Sequence, residues 1–580
     1  MGCRSNEVPA VRNTWAASLL ESGKMRILSG LLLAIALISS AQQTAPLFRA
    51  GTKLVEVTVT VLDKKGNAVS GLEPADFTLL DDGKPRELAL FRFDGAPAAT
   101  TPASAPAVPT PSLPPGVFTN RSATEDTPHN ITALVLDSLN TPPQQSTMAR
   151  AQMMRYLRAI APQTRVAIFL MGQQLRILHD FTADASALRA KLDKAALGMP
   201  LATVTDYNQS IVEAEAFVDM FAGNPEMQKA AEEMARNNLE VETMANAQAR
   251  RYRMERSLAA MEALGKHLAG IPGRKNLVWI GAGFSMVSIT GAMGMGVHGG
   301  VEDFEYKVRQ TSQRLAQQGI ILYIVDSQGI ALPSDQSAAS RAPVPVRGRG
   351  RFEPQMDTEQ ASSDPRPAME LMASITGGRY LHNTNDLAAG FKQTATDVQG
   401  SYTLGFYLAA EPDDKWHKLK VRVKRSGVSL RHREGYIAEA GPAQPTEWTP
   451  ETWRATYSNP IGSTVIPLTA QCVRTPSGEL ALTLTADATT VQFHADGDNV
   501  KADVEIGIGE FAPDGSVRTN RNALTASIPA ARFEEGRKAG IKYQRQWKPA
   551  PESTTLRLIV HDVRSGKYGS LDVPLDKLPH

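Results

Sequence analysis

Hydrophobic and polar positions divide the chain into three regimes. Residues 53–62 (KLVEVTVTVL) alternate strictly, with Val55, Val57, Val59 and Val61 on one face and Glu56, Thr58 and Thr60 on the other. That period of two is the pattern of a half-buried strand. Turn chemistry at Lys65-Gly66-Asn67 and Asp82-Gly83, with apolar runs at Phe77–Leu80 and Leu88–Phe93, extends it to a small β module over 50–94. Residues 96–115 are rich in Pro and Ala and carry no charge, so 95–129 reads as a stiff linker.

The second regime is a series of near-continuous apolar runs separated by helical segments. The runs are Thr132–Leu136, Arg165–Met171, Asn276–Ile280 and Ile320–Val325, with Leu175–Leu178 as an antiparallel neighbour. Helical patterns cover Gln144–Ile160, Asp184–Ala196, Ala368–Ile375 and Leu387–Val398. This alternation predicts an α/β doubly wound, mostly parallel sheet with both faces covered, over 130–440. Residues 207–270 are nearly all helix-forming and predict a helical insertion of two helices, broken near Gly223-Asn224-Pro225. Its methionines at 220, 227, 234, 244, 254 and 261 fit helix-packing core, with an adaptable partner-binding face as the alternative. A loop is expected over 331–367, where Arg347, Arg349 and Arg351 alternate with glycine. The third regime returns to alternation, first at Tyr402–Leu408 and then, past Pro442 and Pro445, as a β-sandwich-like domain over 445–580.

Residues 1–41 read as an upstream extension plus a signal peptide. Lys24, Met25 and Arg26 precede the apolar run Ile27–Ile38, and Ser39-Ser40-Ala41 supplies small residues for cleavage after Ala41, with Met25 as the expected start. The run is shorter than the ~20 residues a membrane span needs. The expectation is an exported protein, periplasmic, extracellular or at the cell surface, with no transmembrane anchor after cleavage. Cleavage takes four of the 62 basic and two of the 60 acidic residues, so the formal charge of +2 becomes zero. Charge therefore supplies no field for nucleic acid. Of Cys3 and Cys472 only the second would remain, which excludes a disulfide framework and a cysteine zinc site.

No G-x-S-x-G, H-E-x-x-H or G-x-x-x-x-G-K-[ST] occurs. The G-x-G-x-x-G at Gly294, Gly296 and Gly299 lies in a Gly/Met-rich stretch and not directly after a strand, so it reads as a loop. The best candidate is Asp137, which ends the first parallel strand in LVLDSLNT. Open α/β sheets bind ligands beyond the carboxyl ends of their strands, and a carboxylate there with Thr141 nearby can hold a hard cation through oxygen. The alternative role for Asp137 is a cap that accepts backbone N–H groups. Asp326-Ser327 ends a second strand on the same rim.

Segment 131–408 resembles a von Willebrand factor type A (VWA) domain. Over 50–440 the chain is similar to the VWA-related proteins of Acidobacteria. The segments that carry the likeness, in order, are VTVTVLDKKGNAVSGLEPADFTLLDDGKPREL, LVLDSLNT, RVAIFLMGQQLRILHDFT, GRKNLVWIGAGFS, ILYIVDSQG, ASITGGRYLHNTNDL and GSYTLGFYL. The resemblance implies a doubly wound fold and a metal-ion-dependent adhesion site, D-x-S-x-S with a distant Thr and Asp. Asp137 matches the first Asp, Leu139 stands at the first Ser and Thr141 at the second. Thr203 or Thr205 would supply the distant Thr, and the distant Asp is Gly281. A degenerate Mg²⁺ or Ca²⁺ site at Asp137, Thr141 and Thr205 is what the resemblance implies. The functional expectation is an exported interaction or adhesion protein that binds a protein or envelope ligand without catalysis. The alternatives are a metal-dependent adhesin with a cation at Asp137, and an envelope hydrolase using Asp137 or Asp326.

Overall fold

The computed structural model describes residues 54–95, 113–121, 130–160, 164–196, 207–271, 273–284, 287–290, 300–327, 364–382, 387–408, 412–438 and 447–579. The leader, Thr203, Thr205, the 294–299 glycines and the 347–351 arginines lie outside the described residues.

The described chain opens with β1 (Leu54–Asp63), β2 (Phe77–Asp81), β3 (Lys84–Arg86), β4 (Leu90–Phe93) and β5 (Val117–Thr119). There follow β6 (Asn130–Asp137), α1 (Pro143–Ala159), β7 (Arg165–Met171), β8 (Leu175–Thr182) and α2 (Ala185–Lys194). Two further helices, α3 (Tyr207–Asp219) and α4 (Pro225–Leu268), lead to β9 (Arg274–Gly281) and the antiparallel pair β10 (Val287–Thr290) and β11 (Gly300–Asp303). Next come α5 (Glu305–Gln317), β12 (Ile320–Asp326), α6 (Arg366–Thr376), β13 (Arg379–Leu381) and α7 (Leu387–Gln399). Strands β14 (Ser401–Tyr407), β15 (Trp416–Val423), β16 (Val428–His432) and β17 (Gly435–Ile437) precede α8 (Pro450–Ser458). The C-terminal region holds β18 (Leu468–Arg474), β19 (Leu480–Ala486), β20 (His494–Asp496), β21 (Asn499–Phe511) and β22 (Val517–Pro529). It ends with α9 (Phe533–Ala539), β23 (Ile541–Trp547), β24 (Thr555–Asp562) and β25 (Tyr568–Pro574).

A mixed sheet of order β13-β12-β9-β6-β7-β8 forms the centre. Its first four pairings are parallel, and β8 joins antiparallel at the edge. Ile131, Ala133 and Val135 pack on the side of Met254, Val308 and Met372, from α4, α5 and α6. Leu134 and Leu136 pack with Met153, Leu188 and Leu192, from α1 and α2. Burial on both faces is why these strands read as unbroken apolar runs. Among the described residues the other sheets contain antiparallel pairs only.

Three boundaries differ from the sequence reading. First, 54–94 does not stand apart from 130–440: β1 lies between β14 and β16, and β2 pairs with β15. The valines of β1 pack against Tyr402, Leu404 and Phe406 in one core. Four strands alone bury too little apolar surface to stand by themselves, and the returning strands complete both sheets. Second, the 95–129 linker contains β5, which pairs with β18 at the edge of the C-terminal domain. There, sheets β23-β19-β18-β5 and β20-β21-β24-β25, with β22 on β21, enclose Leu468, Leu482, Val504 and Leu558.

Third, only the first part of 207–270 behaves as an insertion. The break falls where the Asn224 side chain accepts from the N–H groups of Glu226 and Met227, with Pro225 at the first helical position. Beyond it, Met254, Leu258, Met261, Leu264 and Leu268 of α4 are core residues of the central sheet, whereas Met220, Met227, Met234 and Met244 are exposed. Thr464, from the approach to the C-terminal sandwich, caps the far end of α4. Its backbone N–H donates to the Lys266 carbonyl at 3.0 Å, and its hydroxyl donates to the His267 carbonyl at 2.7 Å. No described helix is long and apolar enough to cross a membrane.

Candidate functional site

Strand order reverses beside β6: the chain next adds β7 and β8 on one side, and later β9, β12 and β13 on the other. The carboxyl ends at such a switch point are where an open α/β sheet leaves a crevice. Asp137 ends β6 there, Gly281 ends β9, and Asp326 is in register with Gly281. The parallel register pairs Val135 with Trp279. Two residues on, with side chains alternating, Asp137 shares a face with that indole.

Asp137 is fully buried, and both its oxygens are occupied. Oδ1 accepts from the backbone N–H groups of Leu139 and Asn140, each at 3.0 Å. Oδ2 accepts from Asn140 Nδ2 at 2.7 Å and from Trp279 Nε1 at 2.9 Å. Burial pushes the carboxyl above its ordinary pKa, while Asn140, Trp279 and Leu139 pull it back. All four contacts come from donors, so the hydrogen bonds favour the ionised form and oppose the larger effect of burial. The Asn140 amide also donates to Ser257 Oγ of α4 at 2.8 Å, tying the strand end to the long helix. Burial and Arg250 lower the pKa of Arg253 on α4, and the charge of Asp137 acts in the opposite sense.

Thr141 is buried beside Asp137, and its Oγ1 accepts from the Ala282 N–H at 3.0 Å. A Cβ at Gly281 would lie 2.7 Å from Asp137 Cβ and 3.0 Å from Thr141 Oγ1. The position at which the resemblance expects a second carboxylate is thus closed by the first. Asp137 and Thr141 are brought together, but their oxygens face protein donors, and in this arrangement they do not fit a cation. Thr205 lies outside the described residues. Asp137 has the geometry of the cap, accepting from the two backbone N–H groups that follow it.

Further along the rim, the Ser327 N–H donates to the Gly281 carbonyl at 3.1 Å, and the Tyr380 hydroxyl donates to Asp326 Oδ2 at 3.2 Å. The Tyr380 ring stacks on His382 with centroids 4.8 Å apart. Sequence reasoning missed Asn140, Trp279, Ser257 and Arg253. Two of them leave a signal: Asn140 lies three residues after Asp137, within local reach of its carboxylate, and Trp279 is the one aromatic residue of β9.

Neither a family model nor a curated protein matches the chain. Structural neighbours include the conserved hypothetical protein BatB from Bacteroides thetaiotaomicron, at 12% identity, covering 46% of this chain and 96% of that one with a TM-score of 0.22. The PilB minor pilin from Streptococcus sanguinis is similar at 11% identity over 47% of this chain and 61% of its own, with a TM-score of 0.25. A von Willebrand factor type A protein from Catenulispora acidiphila matches at 8% identity over 53% and 66%, with a TM-score of 0.23.

Proposed function

We propose that this chain is an exported interaction protein whose VWA-like, doubly wound unit binds a protein or envelope ligand at the rim of β6, β9, β12 and β13, without catalysis. The observation that supports this most is the saturation of Asp137. The group best placed for metal or acid–base chemistry spends its lone pairs on holding the strand ends and α4 together. What then faces outward is a set of part-exposed polar and aromatic groups, Asn140, Arg253, Tyr380 and His382. Export is proposed on the basic and apolar leader at residues 24–41, and kinship with the acidobacterial VWA-related proteins on the order of the sequence segments.

The test is saturable binding of the processed chain to envelope fractions of its own cells, compared with Arg253→Ala and His382→Ala. A drop in affinity of about tenfold or more in either variant, with unchanged circular dichroism, is the expected result. Equal binding by all three would overturn the rim as the contact surface. A calorimetric heat with Mg²⁺ or Ca²⁺ that Asp137→Ala abolishes would favour the metal-dependent adhesin instead.

A further inference from the structure

A second constellation lies away from the rim, where the returning strand β15 pairs with β2. Asp81 ends β2, Asp82 opens the tight turn to β3 at a φ of 49°, and His417 sits across on β15. His417 Nδ1 is 3.0 Å from Asp82 Oδ2 and 3.5 Å from Asp81 Oδ1, and one ligand atom from each of the three residues lies within 4.8 Å of the others. Donors around a tetrahedral zinc-type ion, bound at about 2.0–2.2 Å, stand roughly 3.3 Å apart.

The remaining atom of each residue is already held. Asp81 Oδ2 accepts from Arg86 Nε at 3.0 Å and Nη2 at 2.7 Å. Asp82 Oδ1 accepts from the Lys418 backbone N–H at 2.8 Å. His417 Nε2 pairs with Asp413 Oδ1 at 3.0 Å, and the imidazole stacks on Tyr436 with centroids 5.1 Å apart and planes 20° from parallel. Orienting a histidine through a carboxylate on its other nitrogen is the usual support of a metal ligand. The independent observation is what these contacts leave over. Asp81 has a side chain only 1% exposed, yet its Oδ1 makes no well-formed hydrogen bond, and His417 Nδ1 faces the Asp82 and Asp81 carboxylates without one. Buried polar atoms are rarely left unsatisfied without a function.

We propose that Asp81 Oδ1, Asp82 Oδ2 and His417 Nδ1 ligate a divalent transition ion of the zinc type, with the fourth position left to water. One imidazole and two carboxylates suit Zn²⁺ or Mn²⁺ better than an all-oxygen ion such as Ca²⁺. Two ligands come from the first strands of the chain and one from the strand that returns more than three hundred residues later. The ion would therefore clamp the two segments that build the N-terminal sandwich. This site is independent of the rim and does not rest on the function proposed for it.

The test uses the full chain, stripped of metal and titrated with ZnCl₂ in a calorimeter. One equivalent is expected to bind with micromolar or tighter affinity and to raise the melting temperature by several degrees. Asp82→Asn, at a half-exposed turn position, and His417→Gln should each weaken binding by at least tenfold and remove the thermal shift. Asp137→Asn should leave both unchanged. Absence of heat at 100 µM Zn²⁺ with wild type overturns the proposal. So does binding that survives Asp82→Asn and His417→Gln, which would mark an adventitious ion elsewhere. If His417→Gln fails to fold, the Asp82→Asn result decides.

Discussion

The indole N–H of Trp279, on β9, donates to Oδ2 of Asp137, on β6, at 2.9 Å, and both residues are buried. The bond joins neighbouring parallel strands through side chains at the end where the ladder stops. It makes the carboxylate a structural acceptor, and its worth can be measured. Trp279→Phe keeps most of the ring and withdraws one donor, so a loss of about 1–3 kcal/mol is expected in urea unfolding. Asp137→Ala strands four donors at once and should cost more than Trp279→Phe. The reverse order would refute the acceptor role.

Gly281 is held small by its neighbours. Gly281→Ala places a methyl group against Asp137 and Thr141, at distances that require the strand ends to separate. A destabilisation of about 1–3 kcal/mol is expected by chemical denaturation. Gly281→Asp, which supplies the carboxylate that the resemblance lacks, should destabilise at least as much and produce no Mg²⁺ heat in calorimetry.

Lys275 on β9 carries a buried amine that donates to the Gln318 carbonyl at 2.9 Å. Burial pushes its pKa down from 10.5 to about 8; Glu56 opposes the shift and Arg92 adds to it. Between those two values the unfolded chain binds a proton that the folded chain does not, so stability rises as pH climbs from about 8 to 10.5, by about 3 kcal/mol at most. Below pH 8 the contribution is flat. Lys275→Met should lose this slope, as a difference between urea midpoints of wild type and variant across that window.

Thr464 joins the C-terminal sandwich to the end of α4 through its backbone N–H and its hydroxyl, and the hydroxyl also accepts from the Gly270 N–H at 2.7 Å. Thr464→Val keeps the shape and removes the hydroxyl. It should cost about 1–2 kcal/mol and speed hydrogen exchange in the last turn of α4, which mass spectrometry on peptides around 262–270 would detect.

The central strands were readable because burial on both faces leaves no polar interruption, as in the run from Ile320 to Val325. The break before Pro225 was readable because its cap is local. The partnership of Val57 with Leu404 was not, since alternation reports that a strand is half-buried but not which strand covers it. At the rim, Asp137 and Thr141 were found from strand-end chemistry. Their donors Trp279 and Ala282 were not, because those arrive across a pairing distant in sequence and one of them is backbone.

The Tyr402 hydroxyl donates to the Val69 carbonyl and accepts from the Leu72 N–H, the latter 330 residues away in sequence. Whichever way the chain is delivered, by the ribosome or through a translocation pore, its first strands emerge long before the partners that cover them. They must wait through the making of the whole α/β unit with their valines unshielded. Contacts of such separation close slowly, and unpaired strand edges invite wrong partners in the meantime. The N-terminal sandwich is thus completed only after the whole α/β unit has been made, although its first strand is the first described strand to appear.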